Sequence, residues 1–413
     1  MNNKKQNLIN YFTSVFKTEK KEINSLNGIR AILIFLLFFG HMYGVSENYG
    51  TLEVVNEFIQ TFATNVSFIL DVFFVLSGYL ISGPLLKELS KTGRLNLKQF
   101  YIRRTLRIFP PYYIFLFLQA LFILAALRIV QDPLQIEQLN KGLYSIIYDV
   151  FYLSNYYNGI MLHGWSLSLE EQFYLFFPAL LLIVYRYIPD NNKLKALIIL
   201  YFLPLIYRFV VFFILIEPAA ENMHYSLYLK YIYRPFQGHA DSLFAGIITA
   251  YIVEYRKSWI SSLMNNAPLR KILHSGLWIL LLIFLTLFSE KTGSIISQVI
   301  RFNVINISIA FLMLFSMREG GISNRFFSMK IFSPFAKLSY IAYILHMLLL
   351  GYLMVPLAKK EVIYFKDLLI YWIPISLIIF AVSYIFHLIT ERPFMILKNH
   401  WTKNYKKESM PRL

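Results

Sequence analysis

The chain has 413 residues, of which 57% are hydrophobic, 18% aromatic and only 15% charged, against roughly 25% charged residues in soluble domains. Apolar runs near 20 residues, the length that crosses a bilayer core of ~30 Å, recur from end to end and exclude a soluble globular protein, whose surface this composition could not cover. No cysteine is present and the net charge is +17, so disulfides, zinc–thiolate centres and thiol nucleophiles are excluded, and the basic charge belongs either to nucleic-acid binding or to loops held on one side of a membrane.

The distribution of charge decides between these. Ten apolar segments are predicted as spans: 27–46, 62–82, 108–130, 166–185, 196–216, 237–253, 273–289, 300–317, 336–357 and 367–388. With a cytoplasmic N-terminus, the inner segments hold 29 of the 40 lysines and arginines, counting Lys337 at the edge of its span, and the outer loops hold 7. That bias places both termini inside and accounts for the charge without nucleic acid. The expected fold is all-α: a polytopic bundle of about ten transmembrane helices. Residues 1–26 form a cytoplasmic N-terminal segment, 27–390 the membrane domain and 391–413 a basic cytoplasmic tail against the inner leaflet. The first apolar run has no cleavage signal after it and is expected to be retained. No linker, repeat or soluble catalytic domain is visible, so any chemistry sits among the spans and short loops. Outer segments 131–165 and 217–236, rich in Tyr and Asn, suit either an aromatic belt or a platform for a polar, ring-shaped substrate.

The first span carries Arg30 and His41. Eleven residues is about three turns, so the two share one helix face, ~16 Å apart along the axis. Ionisable groups at membrane depth are expensive and usually face a bundle interior or a water-filled cavity. The second span reads SFILDVFFVLSGYLIS; Asp71 lies near its outer end, and Ser77 and Gly78 suit close helix packing. In NLKQFYIRRTLRIFPPYY, Arg103 and Arg107 are one turn apart and can face one anion together with Arg104, or simply anchor the topology. Pro110 and Pro111 mark a helix start there. In HGWSLSLEEQFYLFFP, Ser166, Glu170 and Tyr174 recur every four residues as one polar stripe, with Glu171 beside it and Trp165 suited to stacking on a sugar. Arg234, His239 and Asp241 cluster at the outer end of the sixth span, and His346 lies inside the ninth. The His-x-Asp spacing is too short to define a metal site, and no metal is expected.

With those stretches in view, the sequence resembles the acyltransferase-3 family of integral membrane acyltransferases over 27–394. Arg30 and His41 fit its Arg-x10-His, DVFFVLSGYLIS its second-span signature, Arg103 and Arg107 its Arg-x3-Arg, and Ser166, Glu170 and Tyr174 its Ser-x3-Glu-x3-Tyr. LSYIAYILHMLLL and ERPF look like its last two signatures. The resemblance implies a ten-helix fold that takes an acyl group from cytoplasmic acyl-CoA, acetyl-CoA for a short chain. The acceptor is a hydroxyl of a carbohydrate or lipid-linked sugar on the outer side of a bacterial inner membrane. Some members add an SGNH hydrolase-like domain; none is expected here.

In that scheme Arg103, Arg107 and Arg104 hold CoA phosphates, Arg30 meets the donor inside the bundle, and His41 is the general base. Glu170 orients His41 or binds the acceptor. Asp71, Trp165, Ser166, Glu171, Tyr174, Arg234, His239 and Asp241 are the candidate acceptor contacts. Membrane lipids are expected partners, and a homo-oligomer is left open. A transporter or flippase for a lipid-linked sugar or other solute is the rival reading, since it too would bury Arg, His and Glu along a pathway.

Overall fold

The computed structural model describes residues 9–17, 22–48, 52–53, 56–398 and 401. Much of the expected N-terminal segment and of the tail at 391–413 therefore lies outside the described residues. Eleven helices carry the architecture: α1 (Asn24–Asn48), α2 (Phe68–Thr92), α3 (Leu97–Ala126), α4 (Pro133–Val150), α5 (Gly164–Tyr187), α6 (Lys193–Val211), α7 (Phe236–Tyr255), α8 (Ala267–Leu287), α9 (Arg301–Met317), α10 (Phe332–Leu353) and α11 (Phe365–Thr390). The one sheet among the described residues is a two-residue parallel pairing of Leu52–Glu53 with Ile363–Tyr364.

Among the described residues, nine helical segments are long and apolar enough to cross a membrane, which makes this an all-α, multi-pass membrane protein. They match nine of the ten expected spans. The sixth expected span, 237–253, is present as α7 but is not among the nine, because Gln237, His239, Asp241 and Ser242 dilute its first half. Every residue from Gly238 to Ile247 is buried. A helix this polar is held at membrane depth by protein on all sides, with α2, α6 and α9 packed around it.

The α2–α7 contact is made backbone to backbone. A Cβ on Gly78 would sit 2.1 Å from the Leu243 carbonyl oxygen, and one on Gly246 would sit 2.1 Å from that of Val75. Such close approach lets van der Waals packing hold helices together where apolar lipid offers no hydrophobic drive.

The third span differs from expectation at its start. α3 begins at Leu97, where the Asn96 side chain accepts a hydrogen bond from the Gln99 backbone N–H, and it runs without a break through Pro110 and Pro111. Neighbouring helices allow proline inside membrane helices. Arg103, Arg104 and Arg107 consequently sit on a continuous helix, not ahead of one. Between α2 and α3, Gly93 adopts φ 65°, the left-handed conformation that ends a helix without a Cβ clash.

Arg208 of α6 is fully buried. It donates to Asp241 Oδ2 and Asn303 Oδ1 at 2.7 Å each, to the Gly238 carbonyl at 2.7 Å and to the Val299 carbonyl at 3.1 Å. Arg301 similarly reaches Glu290 at 2.9 Å and Tyr228 at 3.0 Å. Removing one partner of such a pair strands a buried charge. Asp241→Ala should destabilise the bundle by about 3–5 kcal/mol, and Gly246→Leu should do comparable damage by forcing α7 off α2; thermal unfolding of the purified protein in detergent checks both.

Candidate active site

A cavity of about 1030 Å³ lies between α1, α2, α3, α5, α7 and α10. Its lining on α2 extends from Leu70 to Lys87, about 25 Å along the helix axis, close to the thickness of a bilayer core. At one end stand Lys87 and Arg103, both exposed, with Glu22 and Glu254. At the other end Leu70, Ser166 and Tyr343 are buried. The chamber therefore runs from the lysine- and arginine-rich face most of the way through the bundle.

Four arginines line it: Arg30, Arg103, Arg104 and Arg107. Arg30 donates to Ser339 Oγ at 2.9 Å. The Arg104 guanidinium stacks over the Tyr174 ring at 5.1 Å. Arg107 stands 3.9 Å from Glu391, a loose pairing, while His387 Nδ1 holds the other oxygen of that carboxylate at 2.6 Å. Guanidinium groups this close, with few committed partners, suit a ligand bearing several phosphates.

The i, i+4, i+8 spacing on α5 puts Ser166, Glu170 and Tyr174 on one face, and all three, with Glu171, line the cavity. Glu170 Oε1 accepts hydrogen bonds from the hydroxyls of Ser77 and Tyr174. Its hydrogen bonds thus go to the cavity wall, and none of them reaches His41. Ser77 lines the chamber as well, while the neighbouring Gly78 has the packing role.

His41 is half-buried and is not part of the cavity lining. Its ring lies 4.9 Å from that of His346, which lies 4.8 Å from that of His163. His346 is completely buried. Its Nδ1 is 2.5 Å from the Tyr343 carbonyl, an acceptor, so Nδ1 carries the proton and Nε2 presents a lone pair. That Nε2 has no partner, and the His163 ring makes no well-formed hydrogen bond, with the Ile344 backbone beside it. The three imidazoles do not form a metal site, and no group of described His, Cys, Asp or Glu residues has that geometry. Nothing in the sequence spacing singled out His163, Tyr343 or Ser339, because all three come close to His41 and Arg30 only through the packing of α10 and the N-terminus of α5 on α1.

Five expected acceptor contacts lie elsewhere. Asp71 and His239 are fully buried and bound to each other, His239 Nε2 to Asp71 Oδ1 at 2.7 Å, with Ser242 on the same oxygen at 2.8 Å. Asp241 is closed in by Arg208. These carboxylates, which the sequence placed at a substrate site, are instead held by partners inside the bundle, Asp241 by the Arg208 charge, because α7 is an interior helix. Arg234 donates to Asn158 Oδ1 at 2.7 Å away from the chamber. Trp165 is buried against Tyr233 and His239, with ring centroids at 4.8 and 6.1 Å, and does not present its face to the cavity.

Asp149 at the end of α4 fixes the loop that leads into α5. Its Oδ2 accepts from the backbone N–H groups of Ile160 and Met161 at 2.7 and 3.3 Å, and a Cβ on Gly159 would strike it at 2.2 Å. Burial pushes its carboxyl up to about 6, against the backbone hydrogen bonds that act to lower it.

These features define a multi-pass membrane protein with an arginine-lined chamber that ends beside a histidine cluster. The profile of the acyltransferase-3 acyltransferase domain matches residues 23–404, and the chain belongs to that family. It is similar to an uncharacterized protein of Haemophilus influenzae, 32% identical over 40% of this chain and 65% of the relative. It also resembles a putative O-acetyltransferase of Staphylococcus aureus, 32% identical over 42% of this chain and 27% of the relative. A peptidoglycan O-acetyltransferase of Listeria monocytogenes is 28% identical over 44% of this chain and 27% of the relative. The chain thus spans less than two thirds of each of these relatives. No solved structure matches it significantly.

The Asp149 carboxyl titrates near 6 when folded and at about 3.9 when unfolded. Its contribution to stability is therefore fully present below the unfolded value and is lost as pH rises through the folded one. Asp149→Asn should remove a stability loss of order 3 kcal/mol between pH ~4 and ~6, visible as a flatter dependence of the unfolding temperature on pH than in the wild type.

Proposed function

We propose that the protein is a membrane O-acyltransferase. It moves a short acyl group, acetyl being the simplest, from acyl-CoA at the basic face to a hydroxyl of a carbohydrate or lipid-linked sugar on the opposite side. The observation that carries this reading is the single chamber with four arginines along it and a histidine cluster at its inner end. Arg103, Arg104 and Arg107 would hold the donor's phosphates near the mouth, and Arg30 would hold the donor deeper, where Ser339 fixes the guanidinium. His41 would take the acceptor's hydroxyl proton as the oxygen attacks the thioester carbonyl. The C–S bond then breaks, and the CoA thiolate leaves with that proton, so the imidazole returns neutral. Glu170, held by Ser77 and Tyr174, supplies negative charge among the arginines and a hydrogen-bond acceptor to the chamber wall. The peptidoglycan O-acetyltransferase relative supports a glycan of the cell envelope as acceptor.

The test uses the purified full chain with labelled acetyl-CoA and a panel of envelope glycans and lipid-linked sugars, followed by mass spectrometry. His41→Ala should lower transfer by about 10²–10⁴-fold, the usual worth of a general base, while the protein stays folded. Arg107→Ala removes a charge-assisted contact to phosphate worth about 1.5–3 kcal/mol. It should raise KM for acetyl-CoA roughly tenfold to hundredfold with little change in kcat. Wild-type protein that binds no acetyl-CoA and releases no thiol would overturn the reading in favour of transport.

A further inference from the structure

Tyr343 touches both the chamber and the histidines. It lines the cavity and also packs against two of the three histidines, with ring centroids 5.1 Å from His163 and 5.3 Å from His346. None of the three histidines lines the cavity. The Tyr343 hydroxyl donates to Ser166 Oγ and lies 3.3 Å from the His163 carbonyl. Ser166 Oγ in turn donates to the same carbonyl at 3.0 Å. Tyr343 and Ser166 therefore close the far end of the chamber with neutral hydroxyl contacts alone. Behind them lie His163 and His346, both buried.

We propose that Tyr343, latched to Ser166, is the partition that separates a thioester in the chamber from the histidine cluster, and so selects a sugar hydroxyl over water as acceptor. The proposal rests on the acyltransferase reading. A thioester beside a neutral imidazole and a water molecule is open to hydrolysis: water oxygen adds to the carbonyl carbon, the C–S bond breaks, and a carboxylic acid and a thiol leave. Closed sites suppress such side reactions by excluding water. Neutral hydroxyl–hydroxyl bonds are the kind a carbohydrate can exchange for its own. An acceptor hydroxyl that replaces Ser166 as the partner of Tyr343 would swing the ring aside and bring donor, acceptor and His41 into one space. Water alone gains nothing by that exchange, since it leaves the displaced ring without its packing.

The absence of cysteine from the chain allows a direct test by labelling single introduced cysteines with a charged, membrane-impermeant maleimide applied to the basic face of oriented vesicles. Ser77→Cys, in the chamber wall, should label in every background and shows that the reagent enters. Ser376→Cys, fully buried in α11, should stay unlabelled and shows that the bundle is folded. His346→Cys should be protected while Tyr343 is present and become labelled in Tyr343→Ala. If Tyr343→Ala exposes Ser376→Cys, Tyr343→Leu replaces it as the smaller perturbation. Labelling of His346→Cys with Tyr343 in place, or protection with Tyr343 removed, overturns the partition. In parallel, Tyr343→Ala should release thiol from acetyl-CoA without any acceptor severalfold faster than the wild type, and adding His41→Ala should abolish the gain. Unchanged or slower release from the folded variant also overturns the proposal. Failure of the wild type to act on acetyl-CoA would strike the acyltransferase reading, and the labelling result would still decide whether Tyr343 divides the two spaces.

Discussion

The bundle depends on the contact between α2 and α7. Gly78 and Gly246 let the two backbones touch, and that proximity closes protein around a helix too polar to face lipid. Asp71 on α2 then reaches His239 on α7, and Arg208 on α6 reaches Asp241. Arg208 is matched by the Asp241 charge, the Asn303 side chain and backbone carbonyls, which is the condition for keeping ions out of water at membrane depth. The polar interior and the close helix packing are thus one feature: the glycines bring the backbones within reach, and the ion pairs hold them there.

That arrangement decides where the chemistry can be. α7 spends its early polar residues on internal neutralisation, so its only contributions to the chamber come from its other end, at Ala250, Val253 and Glu254. The chamber is instead assembled from α1, α3, α5 and α10 against α2. Each brings a different group: the deep arginine, the arginine cluster at the mouth, the Ser–Glu–Tyr stripe, and the Ser339–Tyr340–Tyr343 edge. The arginines along the chamber come from two helices, Arg30 from α1 and Arg103, Arg104 and Arg107 from α3. A ligand with several negative charges would relieve the mutual repulsion of these arginines, which a neutral solute would not do.

The two ends of the chamber differ in physical character. The mouth is charged and exposed; the far end is neutral, buried and closed by hydroxyl contacts. This asymmetry suits a donor whose charged part stays at the entrance while an uncharged acyl group goes deep.

Much of this was legible in the amino-acid order. Nine spans followed from hydropathy alone, since a bilayer imposes a fixed length on each. The faces shared by Arg103 with Arg107, and by Ser166 with Glu170 and Tyr174, followed from helical period. Local pattern could not show which polar residues share a space. Asp71, His239 and Asp241 carry the same chemistry as site residues and differ only in being sealed by Ser242, Arg208 and Asn303 from other parts of the chain. His163, Tyr343 and His346 gain meaning only because α5 and α10 converge on α1. Periodicity along one helix reports its faces; which face meets which is settled by packing between helices distant in sequence, and that was decided by the tertiary structure alone.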